Sequence, residues 1–218
     1  MVIGEVIQRV QSLYSKGIQS DDSRLSSRHI YNKLLTIRSQ ILIEDYRKNR
    51  NFNDYTKQTL YIDMTSASNL PCGKSATCKS TISKEKIPVF IFSGDNNIID
   101  VESVDGLITF NKINFSDVRN IAGNKYTGKS EFYYLKNRFL KTVNSKIKKL
   151  GIGAVWEDPI QIEIKSQICN GEQTSNYQQI DFYTPPNLTD RIIGLTSTEL
   201  VGEFIKMKED ITNDTTDN

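Results

Sequence analysis

Residues 131–156 read EFYYLKNRFLKTVNSKIKKLGIGAVW, and the way this stretch folds decides what kind of protein the chain makes. Taken as one helix, it places Phe132, Leu135, Phe139, Val143, Ile147 and Leu150 on one side, with Gly151 as the stop. Taken as strands, FYYL and RFLKTV flank a turn at Lys136-Asn137, and KIKKLGIGAVW follows a second turn at Asn144-Ser145. The spacing supports the helix, whereas the aromatic and β-branched content supports the strands. The residues of the segment leave both readings open.

Its surroundings have the grammar of a β domain. Between Thr59 and Ile164 lie short runs rich in Ile, Val, Phe, Tyr and Thr: TLYIDM, IPVFIF, IIDVESV, LITFNKI and IQIEI, separated by Gly, Asn, Asp and Pro. Asp105-Gly106 between two such runs is the strongest local hairpin signal. Ile160, Ile162 and Ile164 alternate with Gln161 and Glu163, which predicts a strand with one wet face. Asp158-Pro159 reads as a turn and Trp156 as a core or interface anchor. The expectation is an antiparallel domain, a small sandwich or a partly open barrel.

Helices are expected on either side of it. Ile3, Ile7, Val10 and Tyr14 recur at the helical period, widened by Val6 and Leu13, and Lys16-Gly17 closes the segment. A second helix runs from about Leu25 to Asn49, capped by Ser26 or Ser27. Ile30, Leu34, Ile37 and Ile41 form its main line, Leu35 and Leu42 lie beside it, and Arg38 is placed on its polar side. These two helices are expected to pair antiparallel within a bundle. Near the C-terminus, Leu188, Ile192 and Leu195 suggest a short helix, and Thr196 or Ser197 caps a further one carrying Leu200, Phe204 and Met207, with Glu199 near its start. The fold class expected is α+β: a helical bundle from N- and C-terminal helices with an inserted antiparallel β domain. Its parts are an N-terminal helical hairpin (1–50), the β insert (51–165), an irregular connection (166–187), C-terminal helices (188–208) and a flexible acidic tail (209–218).

Composition narrows the function. Of 218 residues, 28 are Lys or Arg and 26 Asp or Glu, a net +2 that is far from the basicity of a protein wrapping nucleic acid by charge alone. A single histidine, His29, rules out a multi-histidine metal site. No run approaches 18 apolar residues, so no membrane span is expected. The opening residues lack a secretory pattern, and three cysteines, an odd number, agree with folding in a reducing cytosol.

The chemical motifs are each outweighed by a plainer reading. GNKYTGKS matches the phosphate-loop pattern through Gly123, Gly128, Lys129 and Ser130, but that chemistry needs a buried strand before it and a helix after it. NFSDVRNIA before it reads as a helical turn, so a basic turn loop is the expectation. From Arg119 to Lys149 there are nine basic residues and one acid, Glu131, a surface that faces DNA or, as a solvated rim, another protein. Cys72 and Cys78 miss the spacing of zinc knuckles, and a zinc site would need both of them together with Cys169 and His29. Glu157 and Asp158, read as strand neighbours, cannot flank one bond. No catalytic, cofactor-binding or metal-binding residue is assigned, and no cofactor is expected.

Three segments carry a resemblance: VIQRVQSLYSKGIQSDDSRLSSRHIYNKLLTIRSQ, YYLKNRFLKTVNSKIKKLGIGAVWEDP and LTSTELVGEFIKMKEDITNDT. Together they resemble a ring component at the head-to-tail vertex of crAss-like short-tailed phages, similar in role to podovirus portal-vertex adaptors. The likeness is strongest from Ser20 to Arg24 and at Trp156-Glu157-Asp158-Pro159, and weakest from Asn51 to Lys86. It implies a helical bundle with a β insertion and strands after Gly128-Lys129-Ser130, so strands are chosen for 131–150. It also implies a virion structural protein with no enzymatic activity, a homo-oligomeric ring of twelve copies assembled in the bacterial cytoplasm, and contacts with the portal and other tail rings. Double-stranded DNA would pass through without sequence-specific binding. The alternatives are a nucleotide-dependent packaging accessory using Gly128-Lys129-Ser130 and a basic DNA-binding module.

Overall fold

A computed structural model describes residues 1–15, 25–51, 53–66, 80–92, 98–121, 126, 130–170 and 176–213, with the side chains of 167–170 and 204–213 excepted. The chain divides into a helical unit, Met1–Thr56 with Ser175–Asn218, and a sheet unit, Lys57–Thr174. This is an α+β fold in which helices from both ends of the chain flank a multi-strand sheet. No helix among the described residues is long and apolar enough to cross a membrane.

The helical unit contains α1 (Ile3–Tyr14), α2 (Ser27–Asn49) and a final long helix (Pro186–Asn213). In α1 the period-3.6 stripe buries Ile3, Val6, Ile7 and Val10, while Leu13, expected to widen it, is 54 % exposed. Full burial of such side chains stabilises by roughly 1.5–3 kcal/mol each. Ser26 caps α2 by accepting from the His29 amide at 3.2 Å. The two helices touch each other, and both pack chiefly on the long C-terminal helix. The start of α1 is tied to the chain before that helix: Ile3 N donates to Ile180 O at 2.8 Å and Phe182 N to Met1 O at 3.0 Å.

The sheet unit builds β1 (Gln58–Ser66), β2 (Ser80–Ser83), β3 (Asp100–Ser103), β4 (Asn111–Lys112), β5 (Phe132–Lys136), β6 (Phe139–Val143) and β7 (Lys149–Ala154). The disputed segment is therefore stranded. Its first turn lies at Asn137-Arg138, one residue later than expected, with both residues in the left-handed region (φ 55° and 65°). Strand order is β3-β7-β1-β2-β6-β5-β4, antiparallel except for the β4–β5 pair, which is parallel and so departs from the all-antiparallel expectation. The row closes on itself. Phe110 N donates to Val101 O at 2.9 Å on the β3 side, and Asn111 N donates to Glu131 O at 3.1 Å on the β5 side. One segment thus bridges the two ends of the row, and the closed sheet has the form of a small barrel. Inside it pack Leu60, Met64, Val101, Phe110, Tyr133, Leu140, Leu150 and Ile152.

Two further expectations are corrected. IQIEI is not a strand but lies in a helix, α4 (Pro159–Asn170), which extends into the expected irregular connection. Asp158 Oδ1 accepts from the amides of Ile160 (3.0 Å) and Gln161 (3.3 Å), and Pro159 opens the helix, so an N-cap followed by a first-position proline overrides the alternation. The two C-terminal helices are one, α5 (Pro186–Asn213), which also takes in the first residues of the expected tail from Glu209. Thr196 and Thr198 hydroxyls donate back to the carbonyls of Ile192 (2.7 Å) and Gly194 (2.9 Å), bonding inside the helix instead of capping a new one. IPVFIF forms no named strand but pairs with the chain around Trp156: beside the Phe90–Trp156 bridge, Ile91 N donates to Val155 O and Glu157 N to Val89 O, both at 3.1 Å.

Candidate functional site

In the helical unit, charge is spent on holding helices together. Lys33 of α2 reaches Glu199 and Glu203, one turn apart on α5, both at 2.7 Å. His29 Nε2 lies 3.6 Å from Glu203. The hydrogen bonds to Glu199 and Glu203 hold the Lys33 ammonium above its ordinary pKa, and the bond from Lys33 holds Glu203 below the usual carboxylate range. Glu199 is thus neither near a helix start nor a free acidic surface. Arg38, placed by the sequence on the polar side of α2, is 1 % exposed. Its Nη2 donates to Tyr183 O at 3.0 Å, its Nε to Thr184 Oγ1 at 3.3 Å, and its guanidinium stands 5.9 Å from the Phe182 ring centre. Of the expected second stripe, Leu42 is buried and Leu35 half-buried. What α1 and α5 leave open is a cavity of about 320 Å³ beside Arg9, Leu13, Asp190, Ile193 and Gly194.

In the barrel, β7 alternates Leu150, Ile152 and Ala154 inward with Gly151 and Gly153 outward. The glycines make room. The ring of Tyr61 and the methyl of Thr59 would lie 3.3 Å from a side chain at Gly151, and the Lys57–Asp100 ion pair fills the space above Gly153. Asp100 Oδ1 is buried there with no hydrogen-bond partner among the described residues. On β5, Tyr133 points into the core, and burial pushes its phenol up to about 12, with the nearby charge of Asp100 adding to the effect.

The barrel wall has a gap. β2 pairs with β1 at Met64–Ser66 and Lys84 N donates to Asp63 O at 2.9 Å, so from Gln58 to Ile62 the second side of β1 has no strand among the described residues. α4 covers part of this edge: Gln58 Nε2 donates to Pro159 O at 3.1 Å and Ser166 Oγ to Thr59 O at 3.4 Å. What remains is a groove of about 220 Å³ floored by Leu60, Ile62 and Pro88. Its rim carries the ion pairs Lys84–Asp63 (3.2 Å) and Lys165–Glu85 (2.8 Å), and also Lys86. No sequence signal marked this groove, because it depends on where β2 stops.

The residues singled out by motif do not converge. Gly123, Gly128 and Lys129 lie outside the described residues. Ser130 is exposed, a short helix (α3, Val118–Ile121) precedes it and β5 follows, the reverse of a phosphate-loop context. The described basic residues spread along β6: Lys136 and Arg138 stand at one end, Lys141 lies within the strand, and Lys146, Lys148 and Lys149 stand beyond the other end, while Lys125 and Lys129 lie outside the described residues. Lys136 Nζ sits 3.9 Å over the half-exposed Phe115 ring. Cys72 and Cys78 lie outside the described residues, Cys169 belongs to α4, and among the described residues no three His, Cys, Asp or Glu side chains gather as a metal site.

A family described as phage tail ring protein 2, of crAss-like phages, matches residues 5–218. The chain belongs to that family. No curated protein matches it. As a tail ring protein it has a ring-related role in the phage tail.

Proposed function

We propose that this tail ring protein is a structural component of the portal vertex, joining the capsid portal to the next tail ring and lining part of the channel through which double-stranded DNA passes. The observation that carries this is the family match over residues 5–218, nearly the full chain, to a tail ring protein. In this reading the protein performs no catalysis and is incorporated into the virion after assembly in the bacterial cytoplasm. Twelve copies form a closed ring on the portal, and the free chain is monomeric or weakly associated. The α1–α5 surface, with Leu13 half exposed beside the cavity, supports the helical unit as the face turned to the portal or a neighbouring ring. The net charge of +2 supports DNA passage over tight binding by charge. A nucleotide-dependent role has no support in the strand that follows Ser130.

Native mass spectrometry of the purified chain and symmetry analysis of isolated portal vertices test the reading together. The expected result is a monomer in solution and a closed ring, co-purifying with the portal, on the vertex. A stable soluble dimer with no ring on the portal would sink it.

A further inference from the structure

We infer that neighbouring copies in the ring dock head to tail, the tip of the β3–β4 hairpin of one copy entering the wall gap beside β1 of the next. This rests on the reading of the chain as a ring subunit, and it specifies the contact that closes the ring.

The tip is preformed. Asp105 accepts from the Ser103 hydroxyl and from the Leu107 amide at 3.2 Å, Gly106 N donates to Ser103 O at 2.9 Å, and Ile108 N donates to Ser103 Oγ at 3.0 Å. Gly106 takes φ 70°, a conformation glycine adopts freely. This locked turn holds Val104 and Leu107 outward at 55 % and 83 % exposure. A rigid apolar knob loses little conformational entropy when it is buried. The gap has the complementary character. Its volume of about 220 Å³ is far above the ~10–15 Å³ that one water needs, its floor is apolar, and it runs along the part of β1 that has no strand beside it among the described residues.

Charge agrees with shape. The tip carries Asp105, held ionised by the Ser103 and Leu107 bonds that lower its pKa, and Glu102 lies on the same strand end. On the gap's rim, Lys84 and Lys165 are matched by Asp63 and Glu85, which leaves Lys86 as the surplus charge. Tip and gap lie on opposite sides of the β7–β1 pair, so they are different surfaces of one copy. A contact between unlike surfaces is heterologous, and heterologous contacts repeat around a closed ring. A second copy is therefore the occupant that fits.

The test places a photo-crosslinking amino acid at Leu107 in assembled phage particles. The expected product is this chain joined to itself, with the second peptide drawn from residues 60–63 or 84–88. A crosslink to another protein or to a different part of this chain, or no crosslink in particles that carry the ring, overturns the inference. Microscopy of the same particles separates the two claims. A ring found away from the portal with this crosslink intact removes the portal placement and leaves the contact standing. As a second measure, Leu107→Asp should lower incorporation into the ring by about tenfold or more while leaving the melting temperature of the free chain unchanged. Lys86→Glu should weaken incorporation less. Normal incorporation of Leu107→Asp would count against the contact.

Discussion

A guanidinium shut away from water must find its partners inside the protein, and Arg38 finds a carbonyl, a hydroxyl and an aromatic face in the segment that leads into α5. Replacing it with alanine removes charge-assisted hydrogen bonds and leaves a hole, so Arg38→Ala should cost about 3 kcal/mol, read as an earlier denaturant midpoint for the helical signal. Arg38→Glu, which on a polar face would have been harmless, should prevent folding of this unit. A weak signal for this burial exists in the sequence, since Arg38 follows Leu34 by four residues and adjoins Ile37, but charge alone argued for the opposite face. Tyr133 makes a second prediction. Unfolded, its phenol ionises near 10; folded, it holds its proton to about 12. Its contribution to stability is therefore whole below pH 10 and is lost as pH rises from there through about 12. Tyr133→Phe should flatten the alkaline branch of the barrel's stability curve; an unchanged branch would contradict the burial argument.

At the scale of elements, Gly153 and the Lys33 pair show what sets strand and helix neighbours. A side chain at Gly153 would collide with Asp100 and Lys57, so Gly153→Ala should destabilise the barrel by about 1–3 kcal/mol, and Gly151→Ala, whose neighbours are the movable Tyr61 ring and a methyl, by less. Denaturant titration of both variants checks the order. For the α2–α5 contact, a double-mutant cycle of Lys33→Met and Glu203→Gln should give a coupling of at most about 1 kcal/mol at pH 7, since these groups are partly exposed. The lowered Glu203 pKa places its contribution above the ordinary carboxylate range, to be lost as pH falls through the folded value. The raised Lys33 pKa keeps the lysine side of the pair until pH rises above about 10.5. The coupling should therefore weaken as pH falls below the ordinary carboxylate range and survive at pH 9. Sequence reading succeeded for α1, α2 and the Asp105-Gly106 hairpin, where one local signal is unopposed. It failed at Ile160–Ile164, where alternation and the Asp158-Pro159 helix start compete, because a short run cannot reveal which will win. The groove beside β1 was out of reach altogether, since the point where β2 leaves β1 among the described residues leaves no mark on the sequence of β1.

At the scale of the whole molecule, the order of helix, sheet and helix was legible because the hydrophobic period changes along the chain, but the centrality of α5 was not, because each helix shows only its own apolar stripe. The sheet unit has a core and closed hydrogen bonding of its own, so residues 57–174 expressed alone should melt cooperatively with a β-rich circular dichroism spectrum. A non-cooperative melt would mean that the barrel depends on the helices. The placement of α5 has a further consequence, in the order of synthesis. About 140 residues separate the end of α2 from the start of α5, so at ~5–20 residues per second a ribosome takes on the order of 10 s to supply the surface on which α1 and α2 pack. Through that interval Ile3, Val6, Ile30 and Leu34 lack the partner that buries them, while the barrel between can already close. Translation that stops early would release a finished barrel bearing unfinished helices, a subunit that chaperones and proteases can recognise before it poisons a growing ring.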